Sequence, residues 1–260
     1  MRELRFLVAL WKANLLAAME YRTAFVSQVA GMMLNNAIYF VFWLLFFGRF
    51  PNVRGWSLPD MFLLFGVVAV AFGLADVLFG NVMRLADVIA GGRLDYYLSL
   101  PRPVLLHALA SRSVVSGLGD ALYGLLSFAL SRPQSVGEVA RFAAAVLFAM
   151  AIFIAFLVLV HSLAFWVGHA GLLAGQVTNA IISFALYPLE LFDGTAKLVL
   201  FTVLPAAFMG AVPARLVRQF TWTGLGELAA AAAVLLALSL AVFTVGLRRY
   251  ESGSAIQVEA

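Results

Sequence analysis

Charge is scarce in this chain and cysteine is absent: Asp, Glu, Lys and Arg make up 12% of 260 residues, and no Cys occurs. The missing thiols exclude disulfides and thiolate chemistry, but they fit either side of a membrane and say little about redox compartment. Lysine is confined to Lys12 and Lys197, and neither follows a glycine-rich turn. No G-x-x-x-x-G-K-[ST] phosphate loop is present, so nucleotide hydrolysis belongs to another polypeptide if it occurs. The three histidines, His107, His161 and His169, form neither H-E-x-x-H nor another short metal-ligand pattern. On a helix His161 and His169 would stand about 12 Å apart. No G-x-S-x-G elbow appears. No metal site and no catalytic residue is expected, and the basic residues form no nucleic-acid surface.

Apolar sequence dominates instead, at 64% of residues. A soluble domain carries about 25% charged residues, so this composition leaves too little polar surface for a water-soluble globule. Runs near the roughly 20 residues needed to cross a bilayer extend over Thr23–Phe47, Leu58–Phe79, Ser113–Leu130, Phe142–Val167, Leu172–Leu189 and Leu225–Leu247. The expectation is an all-α polytopic membrane protein with six transmembrane helices, residues 23–260 forming one permease-like domain. The first 22 residues lack a continuous apolar stretch and an A-x-A-like site, so the first span reads as a retained anchor.

Lys and Arg in short loops set orientation. With both termini cytoplasmic, Arg2, Arg5, Lys12, Arg22, Arg84, Arg93, Arg102, Arg112, Arg248 and Arg249 fall inside. Arg49, Arg54, Arg132, Arg141, Lys197, Arg215 and Arg218 fall outside. Arg22 directly precedes the first span and Arg248-Arg249 follow the last, which favours that orientation. The net charge of +4 then reflects contact with the membrane surface.

Four segments stand apart from the plain spans. In residues 1–22, Leu4, Leu7, Val8, Trp11, Leu15 and Met19 recur at helical spacing, with Arg5 and Lys12 on another face. This is a helix along the cytoplasmic interface, either as an anchor alone or also touching a partner. The stretch Arg84 to Arg112 is the longest polar segment on that side. Leu85 to Ala90 can prolong the second span, Gly91-Gly92 breaks it, Leu94 to Leu100 forms a short helix, and Pro101 and Pro103 stop it. Leu94, Tyr97, Leu98 and Pro101 would form an apolar knob ringed by Arg93, Asp95 and Arg102; it suits a groove on a soluble partner, or is an ordinary solvated loop. Residues 190–224 hold two short helices around Pro205, too short to cross. They read as an external re-entrant hairpin that includes Glu190 and Asp193, either capping a cavity or packing over the bundle. The last segment is the tail, GLRRYESGSA.

At these places the chain resembles the membrane subunit of a type-2 ABC exporter, of the six-span subfamily that includes the viologen exporter permeases. The best-matching pieces are IAGGRLDYYLSLPRPV at Ile89 to Val104, YPLELFDGTAK at Tyr187 to Lys197, LPAAFMGAVPAR at Leu204 to Arg215, and LRRYES at Leu247 to Ser252. The resemblance implies a dimer, with the same or a related permease as second copy, in the bacterial inner membrane. It implies two copies of a cytoplasmic ABC ATPase that bind ATP and Mg, so that this chain itself holds no cofactor. It implies that residues 84–104 form the coupling element, with Ile89, Arg93, Leu94, Asp95, Tyr96, Tyr97, Leu98, Pro101 and Arg102 at the ATPase contact. It also implies a re-entrant hairpin before the last span, and export of a lipophilic or amphiphilic compound.

Polar groups inside spans are costly and count as functional candidates. Here they are Asn35 and Asn36 in the first span, Asp76 in the second, Asp120 in the third, and Gln176 and Asn179 in the fifth. The amides can instead serve as interhelical hydrogen bonds. The carboxylates can pair with Arg84 or Arg112, or attract a cationic substrate. Gly171 and Gly175 form a G-x-x-x-G that permits close helix approach. An ion-coupled secondary carrier is the alternative, since buried carboxylates and broken helices mark that class too.

Overall fold

The computed structural model describes residues 2–168 and 170–251. His169, and the tail from Ser252 onward that closes the LRRYES match, lie outside the described residues. All regular elements among the described residues are helices: α1 (Arg2–Met19), α2 (Arg22–Arg49), α3 (Leu58–Phe79), α4 (Leu85–Ala90), α5 (Leu94–Leu98), α6 (Val104–Ala110) and α7 (Ser116–Leu130). These are followed by α8 (Val136–His161), α9 (Ala164–Val167), α10 (Gly171–Ala185), α11 (Gly194–Thr202), α12 (Ala211–Arg218) and α13 (Trp222–Leu247). Tight 3-10 turns at Gly80–Arg84, Leu189–Leu191 and Pro205–Phe208 join them.

Helices α2, α3, α7, α8, α10 and α13 run alternately between two ends of a bundle, in the order expected of six spans. Among the described residues, four stretches are long and apolar enough to cross a membrane, namely Arg22–Arg49, Leu58–Ala90, Val136–Val167 and Trp222–Leu247, or five if the bent pair Gly194–Thr202 and Pro205–Arg218 counts as one. The expected third and fifth spans are corrected in length. Both α7 and α10 have 15 residues, about 22 Å of helix against a hydrocarbon core of about 30 Å. The backbone leaves the helix at Ser111–Val115 before α7, and at Gly168 and again at Ala170 before α10.

Helices α11 and α12 meet at 64°, with the break at Val203 and Leu204, just ahead of Pro205. Asp193, at the start of this pair, binds Arg54, and Arg218, at its end, lies by Asp60. Both anchors belong to the same end of the bundle, so the pair returns to the side it left.

Three long helices start at that end with side-chain caps that follow from sequence. Ser57 N–H donates to Asp60 at 3.0 Å ahead of α3, Ser135 accepts from Glu138 N–H at 3.2 Å on α8, and Thr221 accepts from Gly224 N–H at 3.1 Å on α13. Each satisfies donors that the first helical turn leaves free.

The centre of the bundle is the antiparallel pair α3 and α7. Glycines on each helix meet backbone of the other. A Cβ on Gly73 would stand 2.6 Å from Ala121 N, one on Gly117 2.7 Å from Gly73 O, and one on Gly124 2.9 Å from Gly66 O. Gly66 thus faces Gly124, and Gly73 faces Gly117, seven residues along each helix. Helix α2 closes on the other side of α7, where Met32 Cβ is 2.9 Å from the corresponding position on Gly119.

Helix α1 splits its apolar stripe. Leu7 is buried, and Trp11 donates its indole N–H to Leu78 O at 2.7 Å. Leu4, Val8, Leu15 and Met19 remain exposed, an apolar face fit for the membrane interface.

Candidate substrate pathway and coupling surface

A cavity of about 500 Å³ opens between α2, α3, α7 and α10. Asn35, Asn36, Asp120 and Asn179 line it, with Tyr39, Phe72 and Tyr187 among their neighbours. Four of the six polar residues expected on a pathway therefore share one chamber. Asn36 donates to Asp120 Oδ1 at 2.6 Å and to Met32 O at 3.1 Å. Asp120 is 4% exposed, and its Oδ2 has no hydrogen-bond partner. Gln176 is exposed on the outer face of α10 and does not line this chamber. Asp76, 6% exposed, is not among the lining residues and packs beside Gly117; its Oδ1 is likewise unpartnered. The expected pairing with Arg84 or Arg112 does not form: the ion pairs among the described residues lie elsewhere.

The two carboxylates occupy related positions that sequence reading did not connect. Gly73-Leu74-Ala75-Asp76 on α3 and Gly117-Leu118-Gly119-Asp120 on α7 share one pattern, glycine, leucine, small residue, aspartate. The glycines meet across the seam, and each aspartate follows one turn later on the same helix. Two glycines at matched seven-residue spacing, each with an Asp three residues from one of them, were the signal available in the sequence. The expected close-approach pair Gly171 and Gly175 is different: Gly171 stands against Asp87, while Gly175 meets open space.

At the amino-terminal end, residues 84–104 form the expected helix, break, helix, stop unit. Gly92 takes φ +68°, which a side chain rarely allows, and the chain turns into α5. The orientation of the expected apolar knob needs correction. Leu94 is fully buried, and Tyr97 is half-buried with its hydroxyl 2.9 Å from Ser111 Oγ. Residues 94 and 97 share one face of a short helix, and that face gains more from the core than from water. Ile89 is buried as well. The outward side carries Arg93, Asp95, Tyr96, Leu98 and Pro101, with Tyr96 64% exposed.

Helix α1 braces this unit. Glu3 pairs with Arg102 at 2.7 Å, and the Arg102 guanidinium lies 4.7 Å from the centre of the Phe6 ring. Asn14 donates to Ala110 O at 3.3 Å and to Ser113 Oγ at 3.2 Å. His107 is buried between the edges of Phe6 and Tyr97, at 4.9 and 5.2 Å between ring centres. Burial, and then the nearby Arg102 charge, hold its pKa below the ordinary value. Past α13, Tyr250 reaches the same unit: burial first, then Asp95, push its hydroxyl up to about 12. His161 is a core residue whose Nδ1 accepts from Ala86 N–H at 3.4 Å, tying α8 to α4. No group of three or more metal-ligating side chains occurs among the described residues.

The far end is closed by charge. Glu190 pairs with Arg215 and accepts from the Trp56 indole, and Arg54 binds both Glu190 O and Asp193, the latter at 3.0 Å. Arg218 donates to Ser131 O and lies 3.8 Å from Asp60 and 3.7 Å from Glu138. A cavity of about 230 Å³ lies among these groups. Of the expected hairpin residues, Glu190 and Asp193 belong to this network, while Pro205 is buried at the bend. By sequence alone Arg54, Arg215 and Arg218 serve only as orientation markers.

The model of the family described as "ABC-2 family transporter protein" matches residues 33–254. The chain belongs to the ABC-2 transporter family. No curated protein and no solved structure matches it. The matched region takes in the chamber lining from Asn35 onward, the outward-facing residues of α5 and the far-end charge network; α1 lies ahead of it. As an ABC-2 membrane subunit the chain is a multi-pass transport protein of a kind that generally works with an ATPase subunit.

Proposed function

We propose that this ABC-2 subunit is the permease of an ATP-driven exporter, that it pairs with a second permease, and that an ATPase dimer docks on the outward side of α5. The observation that carries this reading is the braced unit of residues 84–104. It presents Arg93, Asp95, Tyr96 and Leu98 outward, while Leu94 and Tyr97 root it between α4 and α6. Force applied at α5 passes to α4, which continues the line of α3, and the glycine contacts lock α3 to α7. The pair then moves as one body, and Asp120 on α7 forms part of the chamber wall. Two packed arrangements of that body would alternate the chamber's access. In this scheme both termini face the cytoplasm, the α11 and α12 pair re-enters from the outside, ATP and Mg bind only the partner, and the cargo is lipophilic or amphiphilic.

Purification of the tagged chain from its native membrane in mild detergent tests the reading. An ABC ATPase with vanadate-sensitive activity should be recovered, and the double variant Tyr96→Ala, Leu98→Ala should lower that recovery about tenfold or more, as loss of an exposed aromatic anchor does at interfaces. Unchanged recovery would misplace the contact. Recovery of the wild-type chain alone, without ATP hydrolysis, would favour an ion-coupled carrier.

A further inference from the structure

We infer that the groove between α1 and α7 holds one anionic phospholipid of the leaflet at the α5 end, with its acyl chain inside and its phosphate on Lys12 and Arg112. This site goes beyond the transport reading and is independent of the cargo. The groove holds about 210 Å³, below the roughly 300 to 1,000 Å³ of pockets for drug-sized molecules, which suits a single chain better than a ring system. Leu15 and Ala18 on α1, Val77 on α3, and Val115 and Leu118 at the start of α7 line it. The polar groups of its wall are spent on the protein: Trp11 donates its indole N–H to Leu78 O, and Asn14 donates to Ala110 O and Ser113 Oγ. An occupant therefore meets hydrocarbon and, at the exposed rim, Lys12.

The groove lies where the bundle is short. Ser131, just past the other end of α7, accepts from Arg218 inside the far-end charge network, which places that end at the far interface. The 15 residues of α7 then cover about 22 Å of a hydrocarbon core about 30 Å thick. Val115 therefore stands about 8 Å short of the near interface, within reach of lipid chains. Leu122, one turn beyond Leu118 on α7, is exposed, so the groove continues into the hydrocarbon along that face. At the opposite mouth the charge is of one sign. No acidic residue lines the groove, and exposed Arg112 directly precedes the lining residue Ser113. Neither Lys12 nor Arg112 belongs to an ion pair among the described residues. Each basic residue near a membrane surface favours an anionic headgroup about fivefold, so two at one mouth favour it about twentyfold over a zwitterionic one.

Native mass spectrometry of the full-length chain, delipidated in mild detergent and titrated with dioleoylphosphatidylglycerol or dioleoylphosphatidylcholine, tests this. The first phosphatidylglycerol should bind in a saturable step, about twentyfold more tightly than phosphatidylcholine. Inorganic phosphate, which has no chain, should not displace it. The double variant Lys12→Gln, Arg112→Gln should bring the two lipids within about threefold of each other. Ala18→Trp, which fills the groove and leaves every charge in place, should remove the first site for both lipids in a protein that still elutes as a single species. Equal binding of the two lipids to the wild type, displacement by inorganic phosphate, a preference that survives the double variant, or a first site that survives Ala18→Trp would each overturn the inference.

Discussion

Two walls of one chamber are built by opposite means. The α3 and α7 wall is fused: glycine meets backbone at two levels, and 67% of the most apolar window of the α3 and α4 span is buried within the protein. The α2 and α10 wall is joined less completely: α2 closes on α7 at Gly119, but only 11% of its corresponding window is buried within the protein, and a Cβ on Gly175 of α10 would meet nothing within 4 Å. Small residues allow close, rigid approach where lipid cannot drive helices together by hydrophobicity. On the proposed reading, the first wall would be a strut that carries motion from the α5 end, and the second the side that yields to cargo.

The largest effect should come from breaking the fused wall. Gly73→Val forces a branched side chain against Ala121 N and the Gly117 carbonyl. Neither is a flexible side-chain end, so the helices must separate, at a cost of about 3 kcal/mol or more. Gly175→Val, in open space, should change stability by about 0.5 kcal/mol or less. Thermal unfolding followed by size-exclusion in detergent measures both. Equal losses in the two variants would show that the walls do not differ.

A smaller effect should come from releasing the second wall at its tether. Helix α10 ends at Ala185, and Glu190, in the 3-10 turn that follows Pro188, holds to Arg215, Trp56 and, through its carbonyl, Arg54. Glu190→Ala leaves the half-exposed Arg215 and the Trp56 indole without their acceptor, costing about 2 kcal/mol. Hydrogen exchange should then rise in the last turn of α10 and in α11, with α3 and α7 unchanged. A rise spread evenly over all four helices would mean that the tether is not local.

How much of this was legible in the sequence follows from which interactions are periodic. Long apolar runs, the Gly91-Gly92 break, the proline stops and the bend near Pro205 are local signals, and they located the elements. The chamber was half legible: a polar residue in an apolar run is conspicuous, so Asn36 and Asp120 were singled out, but their 2.6 Å bond joins residues 84 apart. The facing direction of Leu94 was misjudged because a five-residue helix has too little period to tell its inner side from its outer side. The glycine seam escaped because it exists only when two distant segments are laid antiparallel. The charge network at the far end escaped for the same reason: Arg54 and Glu190 come together through the fold and through nothing local.

The smallest effect should appear at the amino-terminal end, where the strut meets α1. His107 is enclosed by Phe6, Tyr96 and Tyr97, with Arg102 nearby and Glu3 facing that arginine. Its pKa is held below the ordinary 6.5, by burial first and by Arg102 second. The folded protein therefore takes up this proton less readily than the unfolded chain. At pH values above 6.5 both states are neutral at His107, and it adds no pH dependence; as pH falls below 6.5 the unfolded chain protonates first and stability is lost. Hydrogen exchange in α6, corrected for intrinsic rates, should rise between pH 7.5 and pH 5.5 while the centre of the α3 and α7 seam stays protected. His107→Phe should flatten that change. A seam that loosened along with α6 would show that the α3 and α7 pair reaches the α5 end without a softer joint.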